Sequence, residues 1–453
     1  MKELGRQVHL VGIGGEGMAG LATLLLQAGY RISGSDLRSS SRLLALAAAG
    51  AKVYKGHGPL HLPPETTDLV YSSAIPVDNP EVQAAKARGL PLWPRLPALG
   101  SIMSSRQLLA VVGTHGKTTT ATWTAHLLRT LVGSIGHYLG GDVPGHPAAQ
   151  LGSDPLFVAE VDESDGRFTS LQADVALLTA VDSDHMETYG GVAGLHAAFR
   201  SFVLRAAKAV LCMDDPGAAS LYSVRRDAFT YGLHPGARLQ AVGVEYKRGR
   251  SMFELRLDGR RAGDVCLPAP GAHNVQNALG ALAAGLVVGL PLGDMVEALS
   301  RVPRPRRRLE VLEENGYLVV DDYAHHPREL AAGLAALRRG WPERRIVAVF
   351  QPHRYTRTVR LAREFGTALA KADHVLVTDV YPAFESALPG VSGAQVAEAV
   401  LSRGGKAQFR PTLEATWEAV AQTVHPGDLV VCFGAGDIWR LSHKISQALF
   451  FGV

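Results

Sequence analysis

A chain of 453 residues is about three times the size of an ordinary domain of roughly 150, so a single small module is excluded and three domains are expected. Apolar residues make up 47% and charged residues 19%, with 49 glycines and 25 prolines, a balance that argues against a disordered chain, a collagen or a coiled coil. Forty-six basic against 42 acidic residues give a formal charge of +4 spread along the chain, too little to imply a nucleic acid or an anionic membrane as partner.

Cys212, Cys266 and Cys432 are odd in number and far apart, so neither a disulfide framework nor a thiolate zinc site is expected. The start, with Glu3 and Arg6 before a Gly-rich turn, does not read as a signal peptide. The longest uncharged stretch, 265–293, contains His273, Asn274, Gln276, Asn277 and three prolines, which makes it a poor membrane span. A reducing cytoplasm is the expected location.

In chain order, the apolar run at Val8, Leu10 and Val11 meets Gly12, Gly14, Gly15 and Gly17, and then Met18, Leu21, Leu24 and Leu25 at helical spacing. Strand, tight turn and helix are predicted. Further strands at 31–33, 69–72 and 91–93 continue an α/β pattern over residues 1–105, the first expected domain. A second domain, 106–302, opens with an apolar strand at 108–112 that runs into Gly113, Thr114, His115, Gly116, Lys117, Thr118 and Thr119 and then a helix. Strands at 156–160, 175–179 and 209–212 follow, then alternating segments at 238–246, 252–257 and 262–267 that suggest antiparallel additions, and a helix at 273–288. The Pro- and Arg-rich piece 301–308 reads as a linker into a third domain, 303–453. There strands at 317–321, 346–350, 374–378 and 429–433 alternate with helices at 328–339, 357–370, 393–403 and 412–424. The expected fold is therefore α/β in three domains: a Rossmann-like N-terminal domain, a central mixed sheet of P-loop ATPase type, and a Rossmann-like C-terminal domain.

The loop 113–118 is the sharpest motif. Its glycines leave backbone N–H groups free to cup phosphate at a helix N-terminus, Lys117 adds charge, and Thr118 can ligate Mg²⁺. A full Walker motif would have glycine at position 111, which is Val111, so an ordinary strand-to-helix turn is the alternative. Gly12, Gly14 and Gly17 match a dinucleotide fingerprint, with Asp36 at the distance expected for a ribose-like hydroxyl; a tight turn with close helix packing is the plainer reading. Glu160, Asp162, Glu163 and Asp165 follow one predicted strand, and Asp182, Asp184, His185 and Glu187 follow the next. Either cluster could be a solvated acidic turn, but two beside one phosphate loop favour a divalent metal. His325 and His326 could be a structural turn or a zinc half-site, and no further ligand at suitable spacing supports zinc. His353, Arg354 and Arg357 suit a carboxylate or phosphate on a small substrate, with a solvated basic turn as the alternative.

Seven segments in this order, 8–20, 113–118, 160–165, 184–186, 270–277, 321–327 and 351–354, resemble the Mur ligases across essentially the whole chain, and most closely their alanine-adding branch. The resemblance implies a reaction in which ATP phosphorylates the lactoyl carboxylate of UDP-N-acetylmuramate and the amine of L-alanine attacks the acyl phosphate. It implies that residues 113–119 with Lys117 hold the ATP phosphates, that Thr118 and Glu160 hold one Mg²⁺, and that His185 holds a second. Several relatives place a carbamylated lysine there, whereas this chain has no lysine between Lys117 and Lys208. It further implies His273, Asn274 and Asn277 near adenine, Arg308 on an ATP phosphate, and Asp322 on the ribose. His325, His353, Arg354 and Arg357 would face the amino acid and product carboxylate, and Gly12, Gly14, Gly15, Gly17, Asp36, Ser72 and Ser73 the UDP group. The implied partners are these small molecules alone, in a monomer or weak dimer. Two departures stand out: Leu309 where the family has phenylalanine after two arginines, and Phe384 where it has glycine, the second bearing on amino-acid preference. A tripeptide-recycling ligase, a nicotinamide oxidoreductase built on the Gly12 turn, and a non-catalytic nucleotide sensor are the competing readings.

Overall fold

The computed structural model describes residues 4–247, 249–313, 316–383 and 385–451. It divides into two compact units, the first comprising Met1–Val242, Glu254–Val265 and Gln276–Pro303 and the second Gly243–Phe253, Cys266–Val275 and Arg304–Val453.

The first unit begins with strands β1 (Gln7–Val11), β2 (Arg31–Asp36), β3 (Lys52–Lys55), β4 (Asp68–Tyr71) and β5 (Leu92–Pro94). They form a parallel sheet in the order β3-β2-β1-β4-β5, the order of one doubly wound half, so the chain reverses direction of travel at β1. The turn Gly12–Gly17 leaves β1 at that point. Strand β3 carries lysine at both ends and is only half-buried, which is why its pattern is weak in the sequence.

Ten further strands follow: β6 (Gln107–Val112), β7 (Gly136–Tyr138), β8 (Ala149–Gln150), β9 (Leu156–Glu160), β10 (Val175–Leu178), β11 (Lys208–Cys212), β12 (Phe229–Gly232), β13 (Leu239–Lys247), β14 (Arg250–Leu257) and β15 (Arg260–Leu267). Their order is β15-β14-β13-β12-β11-β10-β6-β9-β7-β8. Strands β6, β9, β10 and β11 pair in parallel, and their near-continuous apolar runs are what a sheet covered on both faces requires. Helix Lys117–Leu131 follows β6, and its Trp123, 1% exposed, donates from Nε1 to the Pro303 carbonyl at 2.9 Å.

The second unit holds β16 (Glu310–Glu313), β17 (Leu318–Asp322), β18 (Ile346–Phe350), β19 (His374–Val377), β20 (Ala407–Phe409) and β21 (Leu429–Phe433), ordered β16-β17-β21-β18-β19-β20. All pairings are parallel except β16 with β17, an antiparallel edge that the sequence reading lacked. The period-2 alternation sorts the core onto two faces. Leu318, Val320, Phe350, Val431 and Phe433 pack with Leu330, Leu334 and Phe365, and Val319, Val349, Val430 and Cys432 pack with Ile438 and Ile445. Leu309, one of the two departures, is 2% exposed in the first of these clusters, so it fills an apolar position. Phe384, the other, lies outside the described residues.

Candidate functional site

In the first unit the site is built at the carboxyl ends of β6, β9 and β10, adjacent in the sheet although far apart in the chain. Gly116 caps helix Lys117–Leu131 in the left-handed region at φ 79°, and a Cβ there would stand 2.5 Å from Asn277 Oδ1, so glycine is required on both counts. Thr179 Oγ1 donates to the His115 carbonyl at 2.6 Å, and the Thr114 N–H donates to the Ala180 carbonyl at 2.9 Å, which fixes the loop against the end of β10. Lys117 curls back over it: its Nζ donates to the Gly113 carbonyl at 2.6 Å and pairs with Glu163 Oε2 at 2.8 Å. Burial works to lower the Lys117 pKa, but Glu163 and Asp162 outweigh it and hold the ammonium charged. Burial pushes the Glu163 carboxyl up against the pull of Lys117, whereas Asp162, also opposed by burial, is held down by Lys117 and Arg95.

Thr118 Oγ1 donates to Glu160 Oε1 at 2.8 Å, and the Gly140 N–H donates to Glu160 Oε2 at 2.7 Å. A hydroxyl and a carboxylate, both oxygen donors and both buried, make a set suited to a hard divalent cation beside a phosphate. Thr119 is buried behind the loop. His115 Nε2 lies 2.9 Å from Asp182 Oδ2, and Thr120 Oγ1 donates to Asn277 Oδ1 at 3.2 Å. His185 sits in the loop after β10 in the left-handed region at φ 54°, its Nε2 3.7 Å from Asp184 Oδ2.

The other glycine turn of this unit is also ordered by a carboxylate. Asp36 Oδ2 accepts from the Gly14 N–H at 3.0 Å and Oδ1 from the Arg38 N–H at 3.1 Å, so part of its capacity serves the turn itself. Gly15 caps helix Glu16–Gln27 without a side chain, leaving the helix N-terminus open to an anion. Ser72, past the end of β4, receives a hydrogen bond from Ala74 and donates its own N–H to Val11, and Ser73 follows it, exposed.

In the second unit, Asp322 Oδ1 accepts from the Ala324 N–H at 2.7 Å and Oδ2 from the Leu309 N–H at 3.0 Å. Burial raises its pKa to about 7 although Arg308 opposes this; the neighbouring Asp321, paired with Arg307 at 3.3 Å, is raised to about 6, again by burial. His273 is lowered to about 4 by burial and then by Arg308, so it is neutral near pH 7. Asn274 Nδ2 donates to the Pro270 carbonyl at 2.8 Å. His325 Nδ1 bonds the Tyr323 carbonyl at 3.0 Å, and its ring lies 5.6 Å from that of His353. Arg354 caps helix Tyr355–Leu369 at φ 72°, and Arg357, 5% exposed, is in that helix's first turn. Arg308, Asp322 and His273 thus form one cluster, and His325, His353, Arg354 and Arg357 lie at the ends of β17 and β18.

Sequence reasoning missed two participants. Arg95 opens the helix Arg95–Met103 and donates from Nη1 to Tyr138 Oη at 2.6 Å, while its Nη2 stands 3.6 Å from Asp162 Oδ2. The one signal for Arg95 was its place directly after a strand; Tyr138 lies on a three-residue strand with no motif around it.

Family models match most of the chain: "Mur ligase family, catalytic domain" over residues 7–107, "Mur ligase middle domain" over 111–285 and "Mur ligase, glutamate ligase domain" over 307–436. The chain is 41% identical to the UDP-N-acetylmuramate–L-alanine ligase of Solidesulfovibrio magneticus over 97% of its own length and 98% of that protein's. With the enzyme of the same name from Acidothermus cellulolyticus the identity is 42%, covering 99% and 96%. Among solved structures, the UDP-N-acetylmuramate-alanine ligase MurC of Thermotoga maritima superposes with a TM-score of 0.85 at 27% identity, covering 99% of this chain and 100% of that one. A murein peptide ligase from Psychrobacter arcticus gives 0.70 at 22% identity, covering 98% and 99%.

Proposed function

Because the chain belongs to the Mur ligase family, we propose that it joins L-alanine to the lactoyl carboxylate of UDP-N-acetylmuramate at the expense of ATP, a step in making peptidoglycan precursors. The observation that carries the reading is the charged Lys117 folded over the 113–116 loop, with the Thr118–Glu160 pair beside it. ATP with Mg²⁺ supplies the phosphoryl group and the neutralising charge that turn an inert carboxylate into an acyl phosphate. What the protein must do is screen two anions from each other and place an amine, which needs positioned charge and no protein nucleophile.

In this reading the loop from Gly113 to Thr119 and Lys117 hold the phosphates, Thr118 and Glu160 one Mg²⁺, and His185 a second. Gly12, Gly14, Gly15, Gly17, Asp36, Ser72 and Ser73 take the UDP group, the open N-terminus of helix Glu16–Gln27 facing its diphosphate. In the second unit, neutral His273 suits a stacked or hydrogen-bonded base, Asp322 a ribose hydroxyl and Arg308 a phosphate; Asn274 and Asn277 belong with the adenine contacts. His325, His353, Arg354 and Arg357 take the carboxylate of alanine and of the product. The division into domains at 1–105, 106–302 and 303–453 and a cytoplasmic, monomeric or weakly dimeric enzyme belong to the same proposal. Among the described residues no helix is long and apolar enough to cross a membrane.

The test is phosphate release from Mg-ATP with UDP-N-acetylmuramate present, comparing L-alanine, the tripeptide L-Ala-γ-D-Glu-meso-diaminopimelate and no acceptor. Release that requires L-alanine is expected. Release that requires the tripeptide moves the enzyme to recycling, and none in any tube removes the ligase reading.

A further inference from the structure

Within the first unit, hydrogen bonds, an ion pair and two residues of chain join the sugar-nucleotide turn to the carboxylates beside the phosphate loop. Tyr138 Oη donates to the Gly17 carbonyl at 2.9 Å while accepting from Arg95 Nη1 at 2.6 Å. Gly17 is glycine because a Cβ would stand 2.7 Å from Arg95 Nη1 and 2.8 Å from Tyr138 Oη, so the guanidinium and the phenol press directly on the first turn of helix Glu16–Gln27. Three residues on, a Cβ at Gly20 would meet the Tyr138 ring at 3.0 Å. From this pair of residues the path continues in two directions. Arg95 Nη2 is 3.6 Å from Asp162, and two residues beyond Tyr138 the Gly140 N–H donates to Glu160 at 2.7 Å. Two residues of chain span at most about 7 Å, so this is a short connection between two sites that must meet during catalysis. Tyr138 is fully buried, and Arg95 keeps further N–H donors on a side chain that is 14% exposed.

We propose that Arg95 and Tyr138 are positioning residues for the sugar nucleotide. They hold the glycine turn at a fixed distance from Glu160 and Asp162, so that an anion seated on that turn carries its carboxylate to the phosphate loop. The inference rests on the reaction proposed above. Its physical basis is that the transfer tolerates little displacement, since a misplacement on the order of 1 Å costs about 10²-fold in rate.

The experiment compares wild type with Tyr138→Phe, which removes one hydroxyl and keeps the ring over Gly20, and with Arg95→Lys and Arg95→Met. Calorimetry with UDP-N-acetylmuramate in the absence of ATP gives its Kd; steady-state rates give the KM for ATP; a melting scan reports folding. Tyr138→Phe is expected to raise the Kd about tenfold, as for the loss of a hydrogen bond linked to a charged group, with the KM for ATP within about twofold and the melting temperature preserved. Arg95→Lys should recover part of what Arg95→Met loses. A role confined to stability would lower the melting temperature and leave the Kd of the folded fraction alone. A Kd unchanged in both folded Tyr138→Phe and Arg95→Lys, or an equal weakening of ATP and sugar nucleotide, overturns the inference while leaving the reaction intact. Should wild type itself bind no UDP-N-acetylmuramate, the reaction reading fails and this inference with it.

Discussion

Replacing Lys117 by methionine tests the electrostatics of the phosphate loop without any ligand. Lys117 Nζ and Glu163 Oε2 are 2.8 Å apart with side-chain exposures of 14% and 2%. At an effective dielectric constant of about 20 their attraction is roughly 6 kcal/mol, part of which offsets the cost of burying both charges. Removing one partner of a buried pair typically destabilises by about 3–5 kcal/mol, because the other is left uncompensated. Here the survivor can escape by taking a proton. Burial already raises the Glu163 pKa, and without Lys117 it rises further, so the native state keeps a proton that the unfolded chain releases above about pH 4.3. The variant must therefore lose stability as pH rises. In the wild type Lys117 adds no slope over the same range, since a raised lysine contributes fully below its ordinary value of about 10.4, and Glu163, held down by Lys117, leaves a smaller slope than in the variant. Urea titrations at pH 5.5 and pH 8, followed by tryptophan fluorescence with Trp123 buried on the same helix, measure both effects. The expected deficit of Lys117→Met is about 3 kcal/mol at pH 8 and visibly less at pH 5.5, with most of it recovered in Lys117→Met/Glu163→Gln. A deficit independent of pH, or a double variant no more stable than the single one, would refute the reasoning.

Gly116→Ala forces a Cβ into the left-handed region and to 2.5 Å from Asn277 Oδ1, and should cost about 1–3 kcal/mol and at least about 10²-fold in kcat/KM for ATP, read by melting and by initial rates. Asp321, raised to about 6 by burial, binds a proton in the native state that the unfolded chain has lost, so stability should fall as pH rises from 4.5 to 6.5. Asp321→Asn should shrink that slope in calorimetric melting, and an unchanged slope would contradict it. His185→Ala should displace the Mg²⁺ dependence of phosphate release; superimposable Mg²⁺ titrations would remove His185 from the metal shell.

The parts of the site that the sequence made visible are those whose chemistry is local. Gly116, Lys117 and Thr118 form a contiguous loop between an apolar strand and a helix, and Glu160 and Asp182 follow strands whose buried runs stand out. The face-sorting of Val319 against Leu318 and Val320 was equally open to reading, because a parallel sheet imposes it residue by residue. What stayed hidden depends on distance in the chain. Nothing around Tyr138 says that its hydroxyl will reach Gly17, 121 positions earlier, and a strand of three residues carries too little pattern to be seen. Strand β16 escaped for a related reason: its pairing with β17 is bulged, with a register shift between Val311 and Glu313, so the period-2 signal breaks within four residues. The departure at Leu309 reads as a substitution in sequence and as an apolar core residue in space.

The neighbourhood of β6, β9 and β10 has a consequence for how such a chain can change over time. Glu160 ends β9, Asp182 follows β10, and Thr118 lies in the first turn of the helix that the 113–116 loop joins to β6, so their spacing follows the ladder pairing Val111 with Glu160 and with Leu177, whatever number of residues intervenes between the strands. The span from 142 to 148 is mostly exposed, and nothing lies within 4 Å of where a Cβ on Gly145 would point. Growth or trimming of the chain there is absorbed at the surface, and lineages of this fold are free to diverge in length while the carboxylates keep their places.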